Sequence, residues 1–204
     1  MPEVLVEDVR GVTAAAGTTK ARIERAALTL FCARGVDAVT TREIAGASGV
    51  SEGALYRHYP SKESLAETMF FSIHKRLADE IRIAAKAGGG FDAQARAIVS
   101  AYVRVADEDW TLFSYHLLTT HRFLPFTDAS ARQSNHNPVT LVEGVIADAM
   151  KRGEIQKGDA ALKAAMALGV VLQTALHKIY DRVQGNLAAQ EAALADAVIA
   201  VLKA

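Results

Sequence analysis

The sequence predicts an all-α protein, and three observations carry that prediction. Apolar residues make up 50% of the 204, alanine is abundant and prolines number four, a composition that favours helix. Alternating β-branched runs, the mark of half-buried strands, are missing. Apolar positions recur instead at three- and four-residue spacing between helix-start and helix-stop residues.

Taken in order, residues 1–17 read as a flexible arm ending at a threonine pair, Thr18 and Thr19, that can cap the first helix. This helix runs from about Lys20 to Arg34 with Ile23, Ala26, Ala27, Leu30 and Phe31 on one face, and Gly35 stops it. Thr40 followed by Glu43 is a capping box, in which hydroxyl and carboxylate each satisfy an orphan N–H. Gly49 can take the left-handed conformation that closes this short second helix. Ser51 caps a third, from Glu52 to about Tyr59, and Pro60 limits it. Two short helices joined by a glycine-containing turn form a helix-turn-helix, with Ile44, Ala45, Val50 and Leu55 holding them crossed. Ser61 caps a fourth helix, Lys62 to about Lys86, with a stripe of Leu65, Met69, Ile73, Leu77 and Ile81. Gly88, Gly89 and Gly90 mark a boundary. The expected domains are the arm at 1–17, a helix-turn-helix domain with its linker helix at 18–87, and a second helical domain at 88–204.

In the second domain, helices are expected over Phe91 to about Asp107, Asp109 to His121, Pro138 or Val139 to Arg152, Asp159 to about Val183, and Leu187 to Leu202, with a polar loop from Pro125 to Pro138. The last two are unusually small-sided: Ala164, Ala165, Ala167, Gly169, Val170 and Ala175 in one, Ala188, Ala192, Ala193, Ala197 and Ala200 in the other. Such surfaces suit either a tight core or a helical dimer interface. We favour the interface, because both helices are apolar over more of their circumference than one core face requires.

Composition excludes several classes. Formal net charge is zero, which argues against nonspecific nucleic-acid binding. The balance is uneven, however: residues 18–86 hold 11 Lys/Arg against 8 Asp/Glu, a net of +3, while 1–17 give −2 and 87–204 give −1. The single cysteine, Cys32, excludes an internal disulfide and fits a reducing compartment. No targeting signal is visible, and the longest apolar stretch, Ala164 to Leu172, is too short to span a membrane. A cytoplasmic protein with no membrane partner is therefore expected. Gly49-Val50-Ser51-Glu52-Gly53 fits the G-x-S-x-G elbow of hydrolases, but that motif needs a preceding strand where this chain has a helix cap. Ser72-Ile73-His74-Lys75 fits S-x-x-K by composition alone, without its partner motifs. No catalytic residue is assigned.

The residues left outward on the third helix, Glu52, Ala54, Tyr56, Arg57 and His58, suit a DNA major groove better than a core. With the first helix, Thr40-Thr41-Arg42-Glu43-Ile44-Ala45, Gly49-Val50-Ser51, Leu55-Tyr56-Arg57-His58-Tyr59 and Ser61-Lys62-Glu63, residues 19–75 resemble the tetracycline-repressor (TetR) family of bacterial transcription regulators. The resemblance implies a homodimer with helix-turn-helix units at one end, a divergent ligand-binding domain, and repression relieved by a small molecule; paired through the last two helices, such a dimer should prefer a palindromic operator on double-stranded DNA. By position it implies phosphate contacts at Thr41, Tyr56, His58 and Lys62, base-edge reading at Arg42 and Arg57, close backbone approach at Gly53, and a place for Ser51 and Ala54 in the same face. Glu52 either accepts from a base or simply favours the helix N-terminus. Lys62 is otherwise a solvated charge.

Most aromatics of the second domain fall in one stretch that includes Phe91, Tyr115 and Phe126. They fill a helical core or line an apolar effector cavity, for which Tyr102, Trp110, Phe113, His116, Phe123, Met150 and Met166 are the candidates. His116 and His121 lack the spacing of a metal pair, and no metal or cofactor is expected. The competing reading is a helical enzyme or carrier in which the helix-turn-helix is incidental.

Overall fold

A computed structural model describes residues 11–124 and 137–204, and every element among them is helical. In chain order these are α1 (Thr19–Arg34), α2 (Thr41–Ser48), α3 (Glu52–His58), α4 (Lys62–Ala84), α5 (Gly90–Glu108), α6 (Trp110–Phe123), α7 (Pro138–Arg152), α8 (Ala160–Ile179), a 3-10 turn (Leu187–Gln190) and α9 (Glu191–Lys203). The loop expected from Pro125 lies outside the described residues up to Asn137, whose side chain caps α7.

The described residues form two compact units. One ends at Ile73 and takes in the later segment from Thr111; the other runs from His74 to Trp110 and resumes through Ala204. In the first unit α1, α2 and α3 pack around Ile23, Leu28, Ile44 and Leu55, all fully buried. Tyr115 of α6 donates its hydroxyl to the Ala66 carbonyl of α4 at 2.6 Å, and Cys32 donates to the Thr111 carbonyl. The α4 stripe Leu65, Met69, Ile73, Leu77 and Ile81 is buried throughout.

In the second unit α9 packs on α5 and α8, and α7 packs on α8. The Glu154 carboxylate accepts the Phe91 N–H, satisfying an orphan donor at the start of α5. Asp107 likewise accepts the Leu187 and Ala188 N–H groups before α9. Two expectations change. Helix α8 stops at Ile179 rather than near Val183, because Asp181 turns into the left-handed region at φ 55° and the Arg182 N–H bonds back to the His177 carbonyl at 2.9 Å. The segment from Leu187 begins as a 3-10 turn, not as part of the last helix.

Helix α8 contains the apolar stretch Ala164–Leu172. Its 20 residues are long and apolar enough to cross a membrane by length and composition. Ala164, Ala167, Val171 and Ala175 face the core, whereas Leu162 and Met166 are 57% and 51% exposed. Ala161, Ala165 and Gly169 on α8, and Ala192, Ala193, Ala197 and Ala200 on α9, are exposed as well.

Candidate nucleic-acid interface

The turn is built as its residues require. Thr40 sits in extended backbone at φ −101° and accepts the Glu43 N–H at 3.2 Å, while the Glu43 carboxylate takes the Thr40 N–H at 2.8 Å. The same carboxylate accepts from Arg34 at 2.9 Å. The hydrogen bonds from Thr40 backbone and hydroxyl, and then the arginine, bring its pKa down to about 2. Gly49 closes α2 at φ 67°, and the Val50 N–H reaches the Ala45 carbonyl at 3.0 Å. Ser51 then accepts the Ala54 N–H at 3.2 Å. Its hydroxyl therefore starts a helix, with α2 and not a strand before it, and the hydrolase pattern has no structural counterpart.

This geometry leaves one face of the unit outward. Arg42, Ser51, Glu52, Gly53, Tyr56, Arg57 and His58 are exposed, and Thr41 and Ala54 are half-buried. A Cβ on Gly53 would meet no atom within 4 Å, so packing does not demand glycine there and the backbone stays open to close approach. Thr41 Oγ1 lies 3.3 Å from both the Glu52 carboxylate and the Tyr56 hydroxyl, tying the start of α2 to α3. A groove of about 360 Å³, whose lining includes Thr40, Thr41, Tyr56, Ser61 and Lys62 together with the acids Asp37 and Glu63, brings three of the expected phosphate contacts together. Lys62 is not simply a solvated charge: its ammonium donates to the Val39 carbonyl at 2.8 Å and the Asp37 carbonyl at 3.2 Å, closing the α1–α2 loop.

Two features escaped the sequence reading. Arg122 of α6 pairs with Asp37 at 2.7 Å across 85 residues, a contact no local pattern announces. Glu24, on the α1 face with Ile23 and Ala27, is fully buried and bonded to Val12, Thr13 and Ala14, which fall inside the expected arm. An acidic residue flanking an apolar stripe was the available signal.

The second unit holds an apolar cavity of about 50 Å³ lined by Ile81, Phe91, Ile98, Tyr102, Ile146 and Leu168 among others. Of the effector candidates only Tyr102 lines it, with a phenol pKa pushed up by burial. Trp110 lies outside it, under the Lys178 ammonium at 4.7 Å. Phe113, His116 and Phe123 belong to the helix-turn-helix unit, where His116 stacks on Phe70 at 4.8 Å and Phe123 lies 4.9 Å from the same ring. Met150 is half-buried away from the cavity and Met166 is exposed. Phe126 lies outside the described residues.

Residues 23–69 match the family model of bacterial regulatory proteins, tetR family. The chain is 30% identical over 159 residues to an HTH-type transcriptional regulator of Mycobacterium tuberculosis, covering 76% of this chain and 79% of that protein. It is 31% identical over 103 residues to the HTH-type transcriptional repressor KstR2 of Rhodococcus jostii, 48% of this chain and 50% of that one. Among solved structures, the fatty acid degradation regulator FadR of Bacillus halodurans superposes with a TM-score of 0.73 at 18% identity, covering 91% and 96% of the two chains. FadR of Bacillus subtilis, solved with stearoyl-CoA, does so at 0.69 and 18%, covering 88% and 97%.

Proposed function

Since the chain belongs to the tetR family of bacterial regulatory proteins, we propose that it is a cytoplasmic, ligand-responsive repressor, not an enzyme, that binds a palindromic operator as a homodimer. The observation that carries this reading is the exposed face of α2 and α3, where Arg42, Arg57 and His58 flank an unobstructed Gly53. Thr41, Tyr56, His58 and Lys62 hold phosphates, which fix position; Arg42 and Arg57 reach base edges, which specify sequence. Glu52, held near Thr41, orients that hydroxyl.

The exposed small residues of α8 and α9, with Leu162 and Met166, form the face on which a second copy packs. Such a dimer presents its two recognition helices about 34 Å apart, one turn of DNA. The effector enters the Tyr102 cavity. Among the described residues no charged side chain lines that cavity, so it takes an uncharged or hydrocarbon portion such as an acyl chain, and it must open to reach the several hundred Å³ (roughly 300 or more) of a typical ligand site.

The test is selection of duplexes from a random library by the wild-type protein, followed by titration of Arg57→Ala and Lys62→Ala. We expect Arg57→Ala to weaken binding with relaxed base preference and Lys62→Ala to weaken it with a smaller salt slope. Unchanged affinity in both would refute the assignment of this face.

A further inference from the structure

Glu24 is a fully buried carboxylate on the apolar face of α1. A desolvated carboxylate persists only where donors converge on it. Here Oε2 accepts the N–H groups of Val12 at 2.6 Å, Thr13 at 2.9 Å and Ala14 at 3.2 Å, while Oε1 accepts the hydroxyl of Thr13 and that of Tyr59, the latter at 2.6 Å. Burial alone would raise its pKa, but the bonds from Thr13, Tyr59 and Val12 outweigh it and leave the group below the usual carboxylate range. Gly11 is enforced by the same geometry, since a Cβ there would sit 2.4 Å from the Ala14 carbonyl oxygen and 2.8 Å from Glu24 Oε2. Tyr59 is the residue that ends α3: its N–H bonds to the Leu55 carbonyl at 3.0 Å, and it is 3% exposed. One carboxylate therefore joins the strap at 11–14, the middle of α1 and the C-terminal end of the helix carrying Arg57 and His58.

We propose that Glu24 is a positioning residue for operator recognition: through Tyr59 it fixes the angle at which α3 is presented, and the strap is the lock that keeps the carboxylate in place. The proposal rests on the DNA-binding reading above. Positioning acts on base contacts, which need a fixed geometry, more than on phosphate attraction, which does not.

The test uses the full chain and the duplex selected by wild type, with an unrelated duplex of equal length as the nonspecific reference, both read by fluorescence anisotropy. Tyr59→Phe removes one donor and little else. Glu24→Leu combined with Tyr59→Phe removes the carboxylate together with its buried Tyr59 donor, so no phenol hydroxyl is orphaned, and it releases the half-exposed N–H groups of the strap to water. We expect each variant to unfold cooperatively, to lose about tenfold in operator affinity, the scale of one base contact, and to keep its nonspecific affinity and salt slope. Wild-type operator affinity in Tyr59→Phe, or equal losses on both duplexes, overturns the proposal. Arg57→Ala keeps the two readings apart: if it abolishes selective binding while the Glu24 and Tyr59 variants retain it, only the positioning role falls. If wild type selects no sequence, both fall.

Discussion

His74 offers the most quantitative test of the packing. It lies on α4 with 7% of its surface exposed, and burial lowers its pKa from 6.5 to about 4. Between those values the unfolded chain binds a proton that the native imidazole refuses, so stability is full above about pH 6.5 and is lost as the pH falls toward 4. At about 1.4 kcal/mol per unit, the whole shift has a ceiling of roughly 3 kcal/mol, of which about 2 kcal/mol is spent by pH 5. Partial solvent contact screens some of that, leaving about 1–2 kcal/mol. The perturbation is His74→Phe, which keeps a flat ring and removes the titration. Urea unfolding of both proteins, at one fixed concentration because the assembly is a proposed dimer, should show wild type losing that amount more than the variant between pH 7.5 and pH 5. Groups common to both proteins cancel in the difference. Parallel pH profiles would refute the claim that a buried neutral imidazole limits acid stability.

Gly49→Ala should cost about 1 kcal/mol in urea unfolding, because φ is 67° there; Gly53→Ala should leave stability nearly unchanged, with no atom within 4 Å of the new Cβ, yet weaken operator binding in anisotropy titrations. Leu162→Asp with Met166→Asp, at positions 57% and 51% exposed, should yield a folded monomer by sedimentation and circular dichroism; a persistent dimer would remove α8 from the interface. Ala167→Val should fill part of the 50 Å³ cavity, preserving or raising the melting temperature while abolishing the thermal shift produced by an apolar effector.

Most of the fold was legible because its causes are local. The capping box, the Gly49 stop and the Ser51 cap each depend on residues within four positions, and all three formed as chemistry requires. The α4 stripe held because four-residue spacing defines one helix face. What spacing does not encode is which neighbour that face meets. Phe113, His116 and Phe123 have the periodicity of a lined cavity and of a packed seam alike, and the structure sets His116 and Phe123 beside Phe70. Residues with no aromatic or polar mark, such as Ile98, Ile146 and Leu168, line the cavity instead.

The same limit governs the charged residues, and there it bears on function. A sequence shows what a side chain can donate or accept, not what already occupies it. Lys62 stands where a phosphate would be gripped, but two of its three donors are held by the carbonyls of Asp37 and Val39. Its charge and its structural bonds therefore act together, by closing the loop that leads into α2 while setting one positive charge in a groove that also holds Asp37 and Glu63. Glu24 is the converse: an acid where an apolar residue would pack, whose partners lie 10 to 12 residues before it and 35 after it. A buried acid on an apolar stripe must find donors, and that requirement can be stated from sequence. Their source emerges only from the three-dimensional approach of Gly11–Ala14 and Tyr59, and that approach makes a packing residue one that can set the angle of α3.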